Sequence, residues 1–412
     1  MYDFIIKRGE VIDPGQAVRG TFDVAIRAGK VAALTSDIDE SQAPTVINAR
    51  GKLVVPGLID VHGHPAGALI DVGVYPDTVG VQQGVTTVCD GGSLGCANFR
   101  AARPYVNELS RTDVFWFLHG AHLGQAVPPE PRSADEIDRD GALRTIDENR
   151  DIIRGVKFRA IGRAAQTVGL AGAKAVKQIA VEARLPLMVH LGICGSEVHV
   201  PDLAASVEPY TKAVLEILEP GDIITHIYTP KVGGMIKPDG SILPEFRAAI
   251  GRGVLLDVGH GGTNFGLEVA RIGLQAGIVP HTLSTDVSTV GIARTAQKGL
   301  ARVRPGQDQA GDVKDPGFSL VALMAKFLGL GFTLEQVVQM TTSTPAKILV
   351  EEERRGSLRV GMPADVTVLE RCDCEVVFPE CTSTLEFVGN TLLVPRTTLK
   401  ARGNTVEVIA GM

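Results

Sequence analysis

The sequence predicts an α/β protein, a parallel (β/α)8 barrel with a small β-sandwich built from both chain termini. Three observations predict it. Residues 53–353 repeat short apolar runs, each followed by a stretch of helical spacing. Both ends of the chain carry β-rich pieces broken by turn signals instead. The 412 residues leave room for one barrel of about 250 residues and a second module of roughly 100.

In chain order, the first expected strands are Phe4–Lys7, Val11–Ile12, Asp23–Arg27, Val31–Leu34 and Thr45–Ile47. Turn signals such as Asp13-Pro14-Gly15 and Ala28-Gly29 separate them. The same texture returns at Ser357–Arg359, Ala364–Leu369 and Thr405–Ile409. Neither end alone makes a stable sheet, so residues 1–52 and 354–412 are assigned to one composite domain. Between them the expected barrel strands are Leu53–Val61, Val85–Cys89, Val114–Leu118, Ile152–Lys157, Leu187–His190, Ile223–His226, Val254–Val258 and Thr282–Ser284. Helical spacing is clearest at Ala171–Ala183 and Leu267–Ala276. This many units favours a closed barrel over an open doubly wound sheet, and no dinucleotide fingerprint follows the first strand.

Composition narrows the function. With 44% apolar and 21% charged residues the chain reads as an ordinary soluble globular protein. A net charge of −6 gives no electrostatic reason to expect nucleic acid or an anionic membrane as partner. No apolar stretch approaches the ~20 residues of a membrane span. The start, Met1-Tyr-Asp-Phe-Ile-Ile-Lys7, reads as a first strand rather than a signal peptide. Cys89, Cys96, Cys194, Cys372, Cys374 and Cys381 have no framework spacing and are expected as reduced thiols in a cytoplasmic protein that acts on a small molecule.

Barrel chemistry gathers at the carboxyl ends of strands. The run Val54-Val-Pro-Gly-Leu-Ile-Asp-Val-His-Gly-His64 closes on two histidines spaced i, i+2, so His62 and His64 leave a strand on the same side. Such a pair is half of a first-row metal site, or two polar residues in a turn. Lys157, His190, His226 and Asp286 each follow an apolar strand further on. Any one of them has a structural explanation as a hydrogen-bonded core or loop residue. The ordered set points to one metal centre.

This order resembles the amidohydrolase superfamily of metal-dependent hydrolases over nearly the whole chain. Matching stretches are Pro56-Gly-Leu-Ile-Asp-Val-His-Gly-His64, Gly84-Val-Thr-Thr-Val88, Thr344-Pro-Ala-Lys347 and Gly356-Ser-Leu-Arg-Val-Gly-Met-Pro-Ala-Asp365. The resemblance implies two divalent ions, with zinc best suited to imidazole and oxygen donors. His62 and His64 would bind one ion with Asp286, His190 and His226 the other, and Lys157, carboxylated by CO2, would bridge both. A free ammonium has no lone pair and would repel two cations, whereas a carbamate is an anionic oxygen donor. The alternative for Lys157 is a surface lysine with a snorkelling stem. Water acidified between the ions would attack a polarised carbonyl, and Asp286 would carry its proton to the leaving group. In D-aminoacylase-like members a cysteine near the end of strand two ligates metal, so Cys89 or Cys96 is an alternative bridge. Superfamily barrels often self-associate, which implies a homo-oligomer.

Substrate residues are harder to read. His260, followed by Gly261 and Gly262, is expected to hydrogen-bond a substrate carboxylate or carbonyl, or to be structural. Arg159 would clamp an anion or pair with a neighbouring acid, and Tyr228 would line the pocket. His119 and His122 stay open between substrate contact and structure, and His199 and His281 are read as structural. The motifs Asp60-Val-His-Gly-His-Pro65, Asp257-Val-Gly-His-Gly261 and Ser284-Thr-Asp-Val-Ser288 resemble a dihydroorotase-like bacterial subgroup. Some of its members are deacetylases of acetylated α-hydroxy or α-amino carboxylates. Hydrolysis of an acyl amide or ester on a small carboxylate is therefore the expected reaction. The alternative is a cyclic-amide hydrolase of the dihydroorotase or hydantoinase type. Against it, His64-Pro-Ala-Gly67 lacks the arginine that dihydroorotases carry two residues past the second histidine. A silent barrel serving as a binding subunit would typically have lost ligands, and this chain keeps all six.

Overall fold

The computed structural model describes residues 1–194, 197, 203–296, 299–304, 317–380 and 383–411, so His199 and Cys381 lie outside the described residues. The chain opens with β1 (Phe4–Asp13), β2 (Val18–Arg27), β3 (Lys30–Thr35), β4 (Thr45–Asn48) and β5 (Leu53–Pro56). Ile6, Val11, Val24, Ile26, Val31 and Val54 turn onto one apolar core, the burial that drives these short strands together.

The expected strand Leu53–Val61 is two strands. β5 belongs to the terminal sheet, and β6 (Leu58–Gly63) starts the barrel. Gly57 makes the joint: its N–H donates to the Asp365 carbonyl (2.8 Å), and a Cβ there would overlap the Thr86 hydroxyl. From β6 a parallel sheet runs through β7 (Val85–Asp90), β8 (Asp113–His119), β9 (Ile153–Ile161), β10 (Leu187–Gly192), β11 (Ile223–Thr225) and β12 (Leu255–Leu256), neighbours in space as in sequence. β6, β7 and β10 are buried throughout, which is why their sequences read as unbroken apolar runs. Helices Gly169–Ala183 and Leu267–Gln275 fall where helical spacing predicts them. β9 and β10 run past Lys157 and His190, because their pairing continues to Ile161 and Gly192. His226 lies one residue beyond β11.

The eighth expected strand, Thr282–Ser284, is an irregular segment. It touches both edges of the seven-stranded sheet through single bridges, Asp257 to Thr282 and Gly63 to Val287. Between them His260 N donates to the Ser284 carbonyl (3.0 Å) and Asp286 N to the His62 carbonyl (2.7 Å). A regular ladder fails here because Asp286 takes φ = 50°, outside the extended region. The ring is nonetheless hydrogen-bonded on both sides, as in a (β/α)8 barrel.

After β13 (Arg302–Val303), the C-terminal strands are β14 (Val366–Cys372), β15 (Val376–Pro379), β16 (Glu386–Gly389), β17 (Leu392–Arg402) and β18 (Thr405–Ala410). β14 pairs with β5, so both chain ends share one eight-stranded sheet in the order β18-β17-β14-β5-β1-β2-β3, with β4 beside β1. Ser357–Arg359, expected as a strand, forms none. The Asp13 carboxylate accepts the Ser357 hydroxyl (2.9 Å) and the Leu358 N–H (2.6 Å), removing a donor a ladder would use. Asp113, at the start of β8, pairs with Lys400 of β17 (2.7 Å) and with Arg355 (2.8 Å), tying the barrel to the terminal sheet. Among the described residues no helix is long and apolar enough to cross a membrane.

Candidate active site

A cavity of about 340 Å³ opens among the segments that follow the barrel strands. His62, His64, Lys157, His190, His226 and Asp286 all line it. His64 Nε2 and His62 Nε2 lie 3.1 and 3.6 Å from Asp286 Oδ1, and one donor atom from each residue fits within a 4.8 Å cluster. Lys157 Nζ lies 3.0 Å from His62 Nε2. The His190 and His226 rings meet edge to face at 4.2 Å, and His226 stands 5.2 Å from His62.

Hydrogen bonds reveal which imidazole nitrogens are free. His226 Nδ1 faces the Gly259 carbonyl (2.6 Å); a carbonyl only accepts, so Nδ1 carries the proton and Nε2 keeps its lone pair. For His62 the argument takes one more step. Thr225 donates its hydroxyl proton to Asp257 Oδ2 (2.7 Å), so its oxygen must accept from His62 Nδ1 (2.9 Å), again leaving Nε2 unprotonated, where it faces Lys157 Nζ. Both rings are thus in the tautomer a metal needs, oriented by partners behind them. His64 Nδ1 is held by the Ser93 hydroxyl (2.9 Å).

Burial pushes the His62, His190 and His226 imidazoles down. Burial alone would raise Asp286, but the hydrogen bond from His64 and the nearby imidazoles outweigh it and hold the carboxyl far below the usual range. Lys157 is pushed down to about 8 by burial, so its amine carries a free lone pair far more often than a surface lysine does. Beside Asp286, Thr285 donates its hydroxyl (2.6 Å) and N–H (3.1 Å) to Asp60. Burial raises the Asp60 carboxyl to about 7.

Other expected residues divide. Arg159 lines the cavity, where its guanidinium donates to the buried Glu130 carboxylate and lies 3.1 Å from Cys194 Sγ. His260 and Tyr228, expected against substrate, lie behind the wall. His260 Nδ1 donates to the Gly261 carbonyl (2.8 Å), its Nε2 accepts from Lys326 (2.9 Å), and the ring stacks on Phe265. Tyr228 is wholly buried and donates its hydroxyl to the Ile278 carbonyl (2.8 Å). Both are saturated by the protein. Neither cysteine proposed as an alternative bridge reaches the cavity either. Cys89 is packed in an apolar cluster with Ile59 and Phe117, where burial drives its thiol well up. Cys96 faces Asp138 (3.9 Å) and is raised to about 11, chiefly by burial. His119 is buried beside the site, its Nδ1 accepting the Ala121 N–H (2.9 Å) and burial lowering it to about 3. His281 Nδ1 accepts the Leu256 N–H (2.9 Å), a structural bond, and His122 does not line the cavity.

Four residues that sequence reasoning left unassigned belong here: Asp257 behind His62, and Asn264, Lys231 and Cys194 on the cavity wall. Asp257 falls inside the strand expected at Val254–Val258, whereas β12 ends at Leu256, so its place after the strand was no signal in the sequence. The other three sit in loops and carry none.

A barrel whose donors converge in this way defines a class of hydrolase, and comparison with known proteins agrees. The model of the amidohydrolase family, Amidohydro_3, matches residues 326–387. A deacetylase of Agrobacterium fabrum is 32% identical over 352 residues, 84% of this chain and 78% of that protein. Among solved structures, an adenine deaminase superposes with a TM-score of 0.82 at 25% identity over the whole of both chains. A dihydroorotase superposes with a TM-score of 0.81 at 27% identity, over all of this chain and 98% of that one. The chain belongs to the amidohydrolase superfamily and is a hydrolase acting on C–N bonds. That superfamily generally uses divalent metals, and the His62, His64 and Asp286 cluster is able to hold one.

Proposed function

We propose that this protein is a binuclear metal-dependent hydrolase that removes the acyl group, as a deacetylase does, from a small acylated α-hydroxy or α-amino carboxylate. The observation that carries the reading is the convergence of six donor side chains on one cavity, with Nε2 of His62 and of His226 left unprotonated. The donor set suits zinc. His62, His64 and Asp286 would hold one ion, His190 and His226 the second, and carboxylated Lys157 both. Bound there, the ions would supply Lewis acidity toward a water and the acyl carbonyl.

The chain's own groups do the rest. Asp286 accepts the proton of the attacking water and hands it to the departing nitrogen or oxygen. Asn264 donates to Asp286 Oδ2 (2.8 Å), which fixes the carboxylate so that Oδ1 faces the histidines. The lowered proton affinity of Lys157 provides the neutral amine that reacts with CO2. In the same proposal residues 53–353 form the catalytic unit, while residues 1–52 and 354–412 form a β-sandwich supporting it. The protein is taken to be a cytoplasmic homo-oligomer.

The test is a panel of N-acetyl amino acids, O-acetyl hydroxy acids, hydantoins and dihydroorotate, run on protein of measured metal content. Hydrolysis of an acetylated acid by protein holding about two ions per chain is the expected result. Turnover of dihydroorotate or a hydantoin alone would transfer the reading to cyclic-amide hydrolysis, which the similarity to the dihydroorotase structure favours. Activity without metal would end both.

A further inference from the structure

Four cationic side chains line the cavity: Lys157, Arg159, Lys231 and Arg294. They are not equivalent. Lys157 stands among the metal donors. Arg159 already has its counter-charge in the buried Glu130 carboxylate. Arg294 is exposed. Lys231 is different: it is partly buried, and its ammonium donates to Thr263 Oγ1 (2.8 Å) and Asn264 Oδ1 (2.5 Å). Both acceptors are neutral. They hold the head in place without cancelling its charge, and among the described residues Lys231 forms no ion pair with a carboxylate. A partly desolvated cation with no direct ion pair is costly, and burial, opposed by the attraction of Cys194 and Asp286, lowers Lys231 to about 8. The third ammonium proton remains for a ligand.

We propose that Lys231 is the specificity residue that binds the substrate's carboxylate, supplying a fixed positive charge on the wall beside the proton carrier. The inference rests on the hydrolase reading above and adds what selects an acid over a neutral substrate. Asn264 ties the two positions together, accepting from Lys231 through Oδ1 and donating through Nδ2 to Asp286 Oδ2 (2.8 Å). The anion-binding head and the group that protonates the leaving atom are therefore separated by one amide side chain. That spacing suits an acid whose acylated nitrogen or oxygen sits on the carbon next to the carboxylate.

The test compares the metal-loaded wild type with Lys231→Met, Lys231→Gln and Lys231→Arg. Lactate and lactamide binding are measured by calorimetry, and kcat/KM is measured for O-acetyl-lactate and its amide. The wild type is expected to favour the acid in both assays. Lys231→Met should lower that preference by about 10- to 100-fold, the loss of one hydrogen bond to a charged group, and Lys231→Arg should restore much of it. Lys231→Gln carries the comparison if the methionine variant does not fold. The proposal is overturned if a neutral variant keeps the wild-type preference, if acid and amide weaken equally, or if the wild type prefers lactamide. A charge-dependent lactate preference in a metal-loaded protein that hydrolyses neither these esters nor any compound of the substrate panel above would overturn the hydrolase reading while supporting the anion site.

Discussion

Asp257 tests how the first histidine is aimed. Its buried carboxylate accepts hydroxyls from Thr225 (2.7 Å), Thr282 (2.7 Å) and Ser284 (2.8 and 2.7 Å). Thr225 spends its only proton there, which is why its oxygen accepts from His62 Nδ1. Asp257→Asn puts an amide group where three hydroxyls need an acceptor. At least one loses its partner, costing about 1.5–3 kcal/mol for a hydrogen bond to a charged group. If the losing hydroxyl is that of Thr225, it turns and donates to His62 Nδ1. The imidazole proton then moves to Nε2 and occupies the lone pair a metal would use. Zinc affinity should fall about 10- to 100-fold, the usual effect of losing a partner behind a metal ligand. The assay is chelator competition on metal-stripped protein, with urea unfolding to measure the stability cost. Thr225→Val removes the same relay from its other end, so the double variant should lose little more than either single one. An unchanged zinc affinity in Asp257→Asn, or additive losses in the double variant, would refute the reasoning.

Lys157→Ala should lower metal content and activity together, with partial rescue by short carboxylic acids in the medium; metal analysis of the variant checks it, and normal content would exclude the lysine as bridge. Asp286→Asn should retain a metal site while kcat drops by about 10²- to 10⁴-fold, the range of a lost general base; an unchanged rate would remove Asp286 as proton carrier. Burial pushes the Asp113 carboxyl up, but Lys400 and Arg355 outweigh it and hold it at about 2, against an ordinary 3.8. The stability this pair of cations contributes is complete above the ordinary value and is lost as pH falls toward 2. Urea unfolding between pH 5 and about 2 should therefore show a decline that Asp113→Asn makes shallower; equal slopes would show that the pairing contributes nothing.

What could be read from the sequence follows the physics of strand ends. His62, Lys157, His190 and His226 each follow apolar residues whose burial fixes a strand, and a barrel aims such positions at a common mouth. The same rule misleads at His260 and Tyr228. Gly259 and Gly261 flank His260 with φ values of 47° and 53°, and His226 before Tyr228 has φ = 61°. These left-handed positions turn the chain locally, and the His260 and Tyr228 side chains end in the wall. No residue pattern announces a left-handed turn at a histidine. Lys231, Asn264 and Cys194 were illegible for another reason: they sit in loops whose paths depend on packing against distant segments. Cys89 was misread because it packs in the apolar cluster of Ile59, Phe117 and Met188 and does not reach the cavity, a depth that strand position alone does not give.

The two left-handed donor residues carry a consequence for stability. His226 and Asp286 adopt φ values of 61° and 50°, conformations that cost a non-glycine residue about 1–3 kcal/mol each. Something must hold them. For Asp286 it is its own N–H on the His62 carbonyl (2.7 Å), with the neighbouring His64 N–H on the Val287 carbonyl (2.9 Å). Those bonds also close the ring between β6 and the eighth segment, so barrel closure and convergence of the donors are one structural event. Ions that pull His62, His64 and Asp286 together would brace the same seam. Stripping metal should therefore raise hydrogen exchange at the amides of His64 and Asp286, while amides of β14 and β17 in the terminal sheet keep their protection. Equal exchange at the seam with and without metal would show that the centre and the closure are independent, and that the strained backbone is held by the protein's hydrogen bonds alone.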